Sequence, residues 1–435
     1  KKPLPFEVWA LVAGGFTIAL GYGVVAPVLP QFAKEFGVTN FQATAVISSF
    51  ALMRLVFAPV SGLIVNKLGE RTTYVTGLAI VAVMTGVAVF VTDYWQLLAS
   101  RAIAGTGSTM FTIAATALMI KVMPPSERGR VSSINSASFL LGNLLGPVLG
   151  ALVAGFGLRA PFVVYFFALM GAALVVWFAL RNSTFAARNI GPQPSDPQTF
   201  KEALNFKQYR GVLISTFAFG WASFGVRVSA VPLFVSAVLL GSESQAGWVL
   251  AAYAAGNAAL VLPSGVWNDK FGRKPLLVLG LATVSVGFLI LPFTTNVLLA
   301  MGAMVIAGIG SAFTNPAQQA TIADVVGKRS GGSVVAATQM TADFGAILGP
   351  LVAGLLIDGV GFTSAFIVTA ILLGLASVVW IFIPDSRQLV DSLTEHHKTT
   401  QGVEVVSAVE PVATGPVEVV SSDENEDKED GTDKN

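Results

Sequence analysis

Apolar runs long enough to cross a lipid bilayer recur twelve times along this chain, and they leave its backbone very few options. They fall near residues 6–30, 41–66, 73–92, 96–122, 131–155, 160–181, 209–237, 245–268, 275–294, 297–323, 333–357 and 362–384. In helical form, about 20 apolar residues span a hydrocarbon core roughly 30 Å thick. Within lipid every backbone amide must find its partner in the protein, so a spanning segment is either a helix or a strand of a closed barrel. A barrel strand would alternate apolar and polar residues; these runs are continuously apolar, which excludes it. A soluble chain of 435 residues would not be 54% hydrophobic and only 12% charged. The expected class is an all-α membrane protein of twelve transmembrane helices.

The twelve runs are six runs written twice. Gly62-Leu-Ile-Val-Asn66-Lys67-Leu-Gly69-Glu70-Arg71 separates the second run from the third, and Gly265-Val-Trp-Asn-Asp269-Lys270-Phe-Gly272-Arg273-Lys274 separates the eighth from the ninth. The same offset continues without a gap: Gly105 and Gly107 answer Gly308 and Gly310, and Gly142, Gly146 and Pro147 answer Gly345, Gly349 and Pro350. Two pseudo-symmetric six-helix bundles follow, related as parallel repeats because six crossings return the chain to its starting side. The expected division is an N-terminal bundle over 1–181, a linker over 182–208, a C-terminal bundle over 209–384 and a tail over 385–435. The linker carries Gly191-Pro-Gln-Pro-Ser-Asp-Pro, with an interfacial helix expected over Thr199–Tyr209.

Loops on one side hold Lys1, Lys2, Lys67, Arg71, Lys121, Arg128, Arg130, Arg181, Arg188, Lys201, Lys207, Arg210, Lys270, Arg273, Lys274, Lys328 and Arg329, whereas the opposite loops hold only Lys34 and Arg159. The positive-inside rule then places both termini in the cytoplasm of a plasma (inner) membrane, here expected to be bacterial. Trp9, Trp95, Trp177, Trp248, Trp267 and Trp380 stand near the ends of runs, where interfacial anchors belong. The net charge of +1 conceals a basic body and a tail of 13 acidic and four basic residues, read as a disordered solvated extension or a regulatory segment. No cleavable signal is expected, since the first run is long enough to span.

Much chemistry is excluded. There is no cysteine, the only histidines are His396 and His397 in the tail, and no Gly-x-x-x-x-Gly-Lys-Ser/Thr loop is present. No nucleophile triad or metal-ligand cluster is visible, so neither an enzyme nor a metal protein is expected. No cofactor is expected either: direct nucleotide drive is not expected, and proton handling inside the membrane, if any, must use a carboxylate, with a proton gradient then the energy source.

Four motifs in order resemble the major facilitator superfamily over residues 6–384, and more narrowly its twelve-helix drug:proton antiporter branch. The first is the doubled loop motif. The others are Arg101-Ala-Ile-Ala-Gly105-Thr-Gly107, Gly142-x-x-x-Gly146-Pro147-x-x-Gly150-Ala151, and Gly21-Tyr-Gly-Val-Val-Ala-Pro27-Val-Leu-Pro30. The resemblance implies alternating access, with the loop motif latching the outward-open state through a carboxylate at the end of the second helix. This chain departs there, with Asn66 in place of the aspartate and Glu70 in place of a basic residue, so the first latch is expected to be weaker while Asp269 keeps the charge in the second. The glycines Gly62, Gly69, Gly265 and Gly272 are read as permitting tight turns and close helix approach, and Lys67, Arg71, Lys270, Arg273 and Lys274 as holding the loops; simple positive-inside tethers are the other reading. Gly142, Gly146, Pro147, Gly150, Gly345, Gly349 and Pro350 are read either as a bent rocking surface between the halves or as general tight packing.

Ionisable side chains inside a membrane point to function. Arg54, Arg101, Arg227 and Asp343 are the four here. Arg54 lies 12 residues from Asn66, and Asp343 lies 10 from Ser333, so both are about 15–18 Å deep at 1.5 Å per residue. The resemblance sets the second and eleventh helices face to face, so Arg54 and Asp343 are expected to pair, either as a proton-sensitive switch or as a static neutral pair. By resemblance Arg101 takes part in proton transfer; snorkelling to the headgroups is the alternative. Arg227 either binds an anionic group of the cargo or reaches the outer interface. Tyr22, Asn143, Phe219, Trp221, Phe224, Tyr253, Asn257, Gln318, Gln319 and Gln339 are cavity candidates on helices that the resemblance places around the cavity; facing lipid or a neighbouring helix is the other reading.

Three functions stand open. One is a proton-coupled exporter of amphiphilic small molecules or drugs. The second is an uptake symporter or facilitator for an anionic metabolite, and the third a membrane receptor or scaffold that transports nothing. Partners are expected to be a small-molecule substrate and the bilayer, with no nucleic acid, and the protein is expected to be a monomer.

Overall fold

The computed structural model describes residues 6–122, 128–181, 198–327 and 332–387, and among them the chain is helical without strands. The tail beyond 387 and linker residues 182–197 lie outside the described residues. Twelve long helices follow in order: α1 Phe6–Val25, α2 Asn40–Leu68, α3 Glu70–Phe90, α4 Tyr94–Val122, α5 Arg128–Ala154 and α6 Ala160–Arg181. The second half holds α7 Lys207–Ala237, α8 Glu243–Phe271, α9 Arg273–Ile290, α10 Val297–Val326, α11 Gly332–Gly359 and α12 Phe362–Ile381. Over their described residues all but α4 are individually long and apolar enough to cross a membrane. With its 29 residues, α4 completes the twelve.

Local signals are duplicated with the helices. Thr39 opens α2 with a capping box closed by Gln42, and Ser242 opens α8 with the same box closed by Gln245. Gly69 (φ 78°) ends α2 and Gly272 (φ 95°) ends α8, left-handed positions that a side chain would strain. The first run proves to be two helices, since α1 stops at Val25 and a short helix over Leu29–Lys34 restarts beside Pro30. The expected interfacial helix before α7 shrinks to Phe200–Ala203.

One apolar core is built mainly from α1 to α6 and a second mainly from α7 to α12. Trp380, expected at an interface, is 1% exposed and belongs to the second core. The glycine motifs pack within each half. Gly142, Gly146 and Gly150 press on the α1 backbone around Phe16–Val24, and Gly345 and Gly349 press on α7 around Phe217–Trp221. Such contacts bring backbone against backbone where no hydrophobic gradient drives association.

Between the halves the contact is one-sided. The helices α2, α8 and α11 are mostly buried toward the end where α2 and α8 begin, and mostly exposed toward the end bearing the two loop motifs. The halves are therefore closed at the far face and parted at the motif face. A β-carbon at Gly146 would stand 2.6 Å from the Leu20 carbonyl oxygen, whereas one at Gly62 meets nothing within 4 Å. Gly146→Ala should thus lower stability by about 1–3 kcal/mol, seen as a reduced melting temperature in detergent, while Gly62→Ala should leave it unchanged or raised.

Candidate functional site

The far-face seal is made of polar contacts whose partners belong to opposite halves. Asp358, near the end of α11, accepts from the Asn40 amide N–H (3.0 Å), the Asn40 Nδ2 (2.8 Å) and the Phe41 amide N–H (2.8 Å), so a carboxylate sits on the positive N-terminus of α2. Ser48 Oγ donates to the Ile347 carbonyl at 2.8 Å, Ser244 Oγ to the Ala151 carbonyl at 2.8 Å, and Gln31 Nε2 to the Pro232 carbonyl at 3.3 Å. Ala51, Leu55, Ala346, Ile347 and Leu351 form a small apolar cluster at the inner end of this zip.

Beside that cluster the structure brings Arg54 and Asp343 together. The Arg54 Nη2 stands 3.8 Å from the Asp343 Oδ2, with both side chains partly accessible. Gln339 Nε2 donates to the other carboxylate oxygen at 3.3 Å, and the Arg54 Nε has no partner. The pair marks the edge of the seal: on the motif side of it the two helices part.

Arg101 and Arg227 lack any such partner. Arg101 is 4% exposed, lies over the Phe50 ring at 5.1 Å, and keeps Nε and Nη1 buried without a hydrogen bond. Snorkelling to the headgroups is thereby excluded. Arg227 owes its posture to a π-helical turn over Gly220–Val226. That turn carries the Arg227 backbone N–H to the Ala222 carbonyl, five residues back, and the Ser223 carbonyl accepts the Arg227 Nε at 2.9 Å instead. The guanidinium then lies 4.2 Å over the Tyr253 ring, whose Oη is 2.9 Å from Ser223 Oγ. The same turn sets Gly220 and Gly225, five apart, both against α11. Tyr22 lies within electrostatic range of all four charges, Arg54, Arg101, Arg227 and Asp343.

Open space of about 570 Å³ lies before Arg227, lined also by Asn143, Phe219, Phe224, Tyr253, Asn257, Ser311 and Asn315. A smaller cleft lined by Tyr22, Asn143 and Arg227 adjoins it, and another holds Tyr22, Phe50 and Arg101. Asn143, Arg227 and Asn257 thus line one cavity and Tyr22 the cleft beside it, with Asn257 Nδ2 held by Ser311 Oγ at 3.0 Å. Two candidates need correction. Trp221 is buried with its Nε1 on Thr369 Oγ1 (3.1 Å), and Gln318 is buried with its Nε2 on Ser215 Oγ (3.0 Å); both join helices of one half and leave the cavity. Gln319 is exposed one turn beyond Asn315, and Gln339 serves Asp343. The sequence reading missed Ser223, Ser311, Asn315 and Asp358. The Gly220–Gly225 spacing, one residue longer than the Gly-x-x-x-Gly runs, was the available signal for the π turn.

The gate loops face the open end. A β-carbon at Gly62 or Gly265 would meet nothing within 4 Å, so the expected close approach is corrected: of these four glycines, Gly69 and Gly272 have a conformational task here. Arg71 lies over Trp177 at 4.6 Å and donates to the Arg181 carbonyl, and Lys274 Nζ donates to the Ile381 carbonyl, so each ties its loop to the last helix of its own half. In the second copy Arg273 Nε binds Asp324 Oδ2 at 3.0 Å, and Ser386 Oγ adds a 2.6 Å bond to the same oxygen. Asp269, its side chain 78% exposed, reaches Arg273 at 3.6 Å. Lys67 is exposed and Lys270 lies over Phe271; the Asn66 side chain lies outside the described residues. Asp385 accepts the Lys274 amide N–H at 3.0 Å, so residues 385–387, expected in the tail, belong to the folded body.

Two six-helix halves, sealed at one face and parted at the other around a lined cavity, define a membrane transporter. The Major Facilitator Superfamily profile matches residues 11–239 and again 212–416, and the chain belongs to that superfamily. It is 26% identical over 384 residues to the quinolone resistance protein NorA of Staphylococcus aureus (strain COL), covering 87% of this chain and 96% of that one. To the MFS-type transporter MJ1560 of Methanocaldococcus jannaschii it is 24% identical over 378 residues, covering 84% and 94%. Among solved structures, a bacterial homologue of the human lysosomal transporter Spinster, in an inward-facing and occupied conformation, superposes with a TM-score of 0.73 at 17% identity, covering 86% of this chain and 95% of that one. The protein is a multi-pass membrane transporter and not an enzyme.

If Asp358 holds the seal, its loss should open the far face. The chain has no cysteine, so Ser48→Cys, which is 3% exposed, provides a single reporter. Adding Asp358→Ala should raise its labelling by a membrane-impermeant maleimide several-fold; unchanged labelling would show that the apolar zip suffices alone.

Proposed function

We propose that this protein exports amphiphilic small molecules in exchange for protons, by alternating access between its two halves, from a plasma membrane in which the motif face is cytoplasmic. The observation carrying this reading is the Arg54–Asp343 pair at the edge of the seal, because Asp343 is the one carboxylate at mid-depth among the described residues and its partner belongs to the other half. A proton on Asp343 removes the attraction across the interface and leaves Arg54 as an unpaired, partly accessible cation, which favours parting the helices there. Rocking about the same interface then opens the far face and closes the motif face. Arg101, with two unpartnered nitrogens beside Tyr22, is the second group placed to feel that change. The likeness to a quinolone resistance protein supports export of drug-like cargo.

A second reading keeps a specific observation in its favour. Three arginines against one carboxylate make the interior cationic, as an importer of an anionic metabolite would require. Purified protein in liposomes with an imposed pH gradient separates the two: antiport moves cargo against the direction of proton flow, symport with it. Asp343→Asn, which mimics the protonated side chain, should abolish gradient-driven accumulation while cargo exchange at equal pH persists. Full coupling in that variant would sink the proposal.

A further inference from the structure

The charge on Arg227 is the one the transport cycle sketched above does not use. No carboxylate among the described residues lies in ion-pair range of it, and none lines the cavity in front of it. The π turn fastens its Nε to the Ser223 carbonyl, and the Tyr253 ring, fixed in turn by Ser223, supports its flat face. Plane and position are thus set in advance. Left over are the two Nη groups, which have no hydrogen-bond partner among the described residues, on a residue that lines the cavity. A guanidinium held in this way is a fork preorganised for a planar oxyanion, since two parallel N–H bonds match a carboxylate. Beside it Phe224 is 41% exposed into the same space and braced edge-on by Phe219, an apolar platform at one side of a polar fork.

We propose that this cavity selects amphiphiles carrying a carboxylate beside an aromatic ring system. The carboxylate docks on the Nη edge of Arg227, the ring lies against Phe224, and the amides of Asn143, Asn257 and Asn315 meet polar substituents. Organic cations of the same size are disfavoured because Arg227 and Arg101 have no counter-charge and Asp343 is shared with Arg54. The inference rests on the export reading only in taking this cavity as the cargo site.

Isothermal titration of the purified full-length protein with 2-naphthoate and with 2-naphthylmethylammonium, one ring with opposite charges, tests it. Naphthoate should bind at least tenfold tighter. Arg227→Gln should erase that preference, and Arg227→Lys, which keeps the charge but loses the fork, should retain only part of it. Phe224→Ala should weaken both probes alike and leave the preference intact, which keeps the test decisive if Arg227→Gln does not fold. Equal or tighter binding of the ammonium probe, binding of neither, or a preference that survives in folded Arg227→Gln overturns the proposal. Failure of the export reading looks different: naphthoate still binds in an Arg227-dependent way, yet no pH gradient drives its movement in liposomes.

Discussion

The zip between α2 and α11 is the contact on which the rest depends, because it must hold one face shut and yet be breakable. Inside each half the glycine motifs set backbone against backbone, and such surfaces cannot slide without losing all their dispersion contacts at once. Across the halves the contacts are mainly side-chain contacts: a carboxylate on two amides, hydroxyls on carbonyls, and a short apolar strip. Each polar contact is replaceable by water once the face opens at small net loss, since a hydrogen bond exchanged for one to water contributes only about 0.5–1.5 kcal/mol. Halves that are internally rigid and mutually weak move as bodies. At the far end a pseudo-twofold pair of close approaches, Gly354 on Thr44 and Gly247 on Ala151, gives that motion a common contact line.

Among the described residues the zip has one ion pair, at its end, and this position gives the pair leverage. Nearer the far face, a proton on a carboxylate would act on a surface already in contact with water. Nearer the motif face the halves are apart and there is no partner to lose. At 3.8 Å and with both side chains partly accessible, the pair is loose enough for water and protons to reach. A deeply sequestered pair would instead resist breaking, because each freed charge would bear its full desolvation penalty.

Much of this was legible before any coordinates. The twelve runs and the offset repeat follow from apolar length, which lipid makes nearly deterministic, while the meeting of Arg54 with Asp343 follows from counting residues to a helix end together with the resemblance that sets α2 against α11. Sequence failed where a side chain's face, rather than its depth, decides. Trp221 and Gln318 carry the polarity of cavity residues, but at their azimuth a neighbour, Thr369 or Ser215, satisfies them within one half. Asp358 escaped notice, since its role exists only when a helix from 318 residues away presents its first amides. The π turn was hidden because hydropathy is blind to whether a helix closes its bonds four or five residues back.

Broken symmetry separates these cases better than polarity does. Asp358 answers Gly155, Arg227 answers Val24, Arg101 answers Met304, and Arg54 answers Asn257, so each charge that bears on the crevice has an uncharged counterpart. One pair at the loops behaves otherwise. Arg273 and Asp324 answer Glu70 and Lys121, the same two signs in exchanged places. Exchange preserves a pair's attraction while altering the field around it, as expected where the pairing is structural and confined to one half. Loss on one side changes what a half can bind or sense. By that criterion Arg227 belongs with the residues that distinguish one half from the other and not with the shared scaffold, although no acidic partner announces it in the sequence.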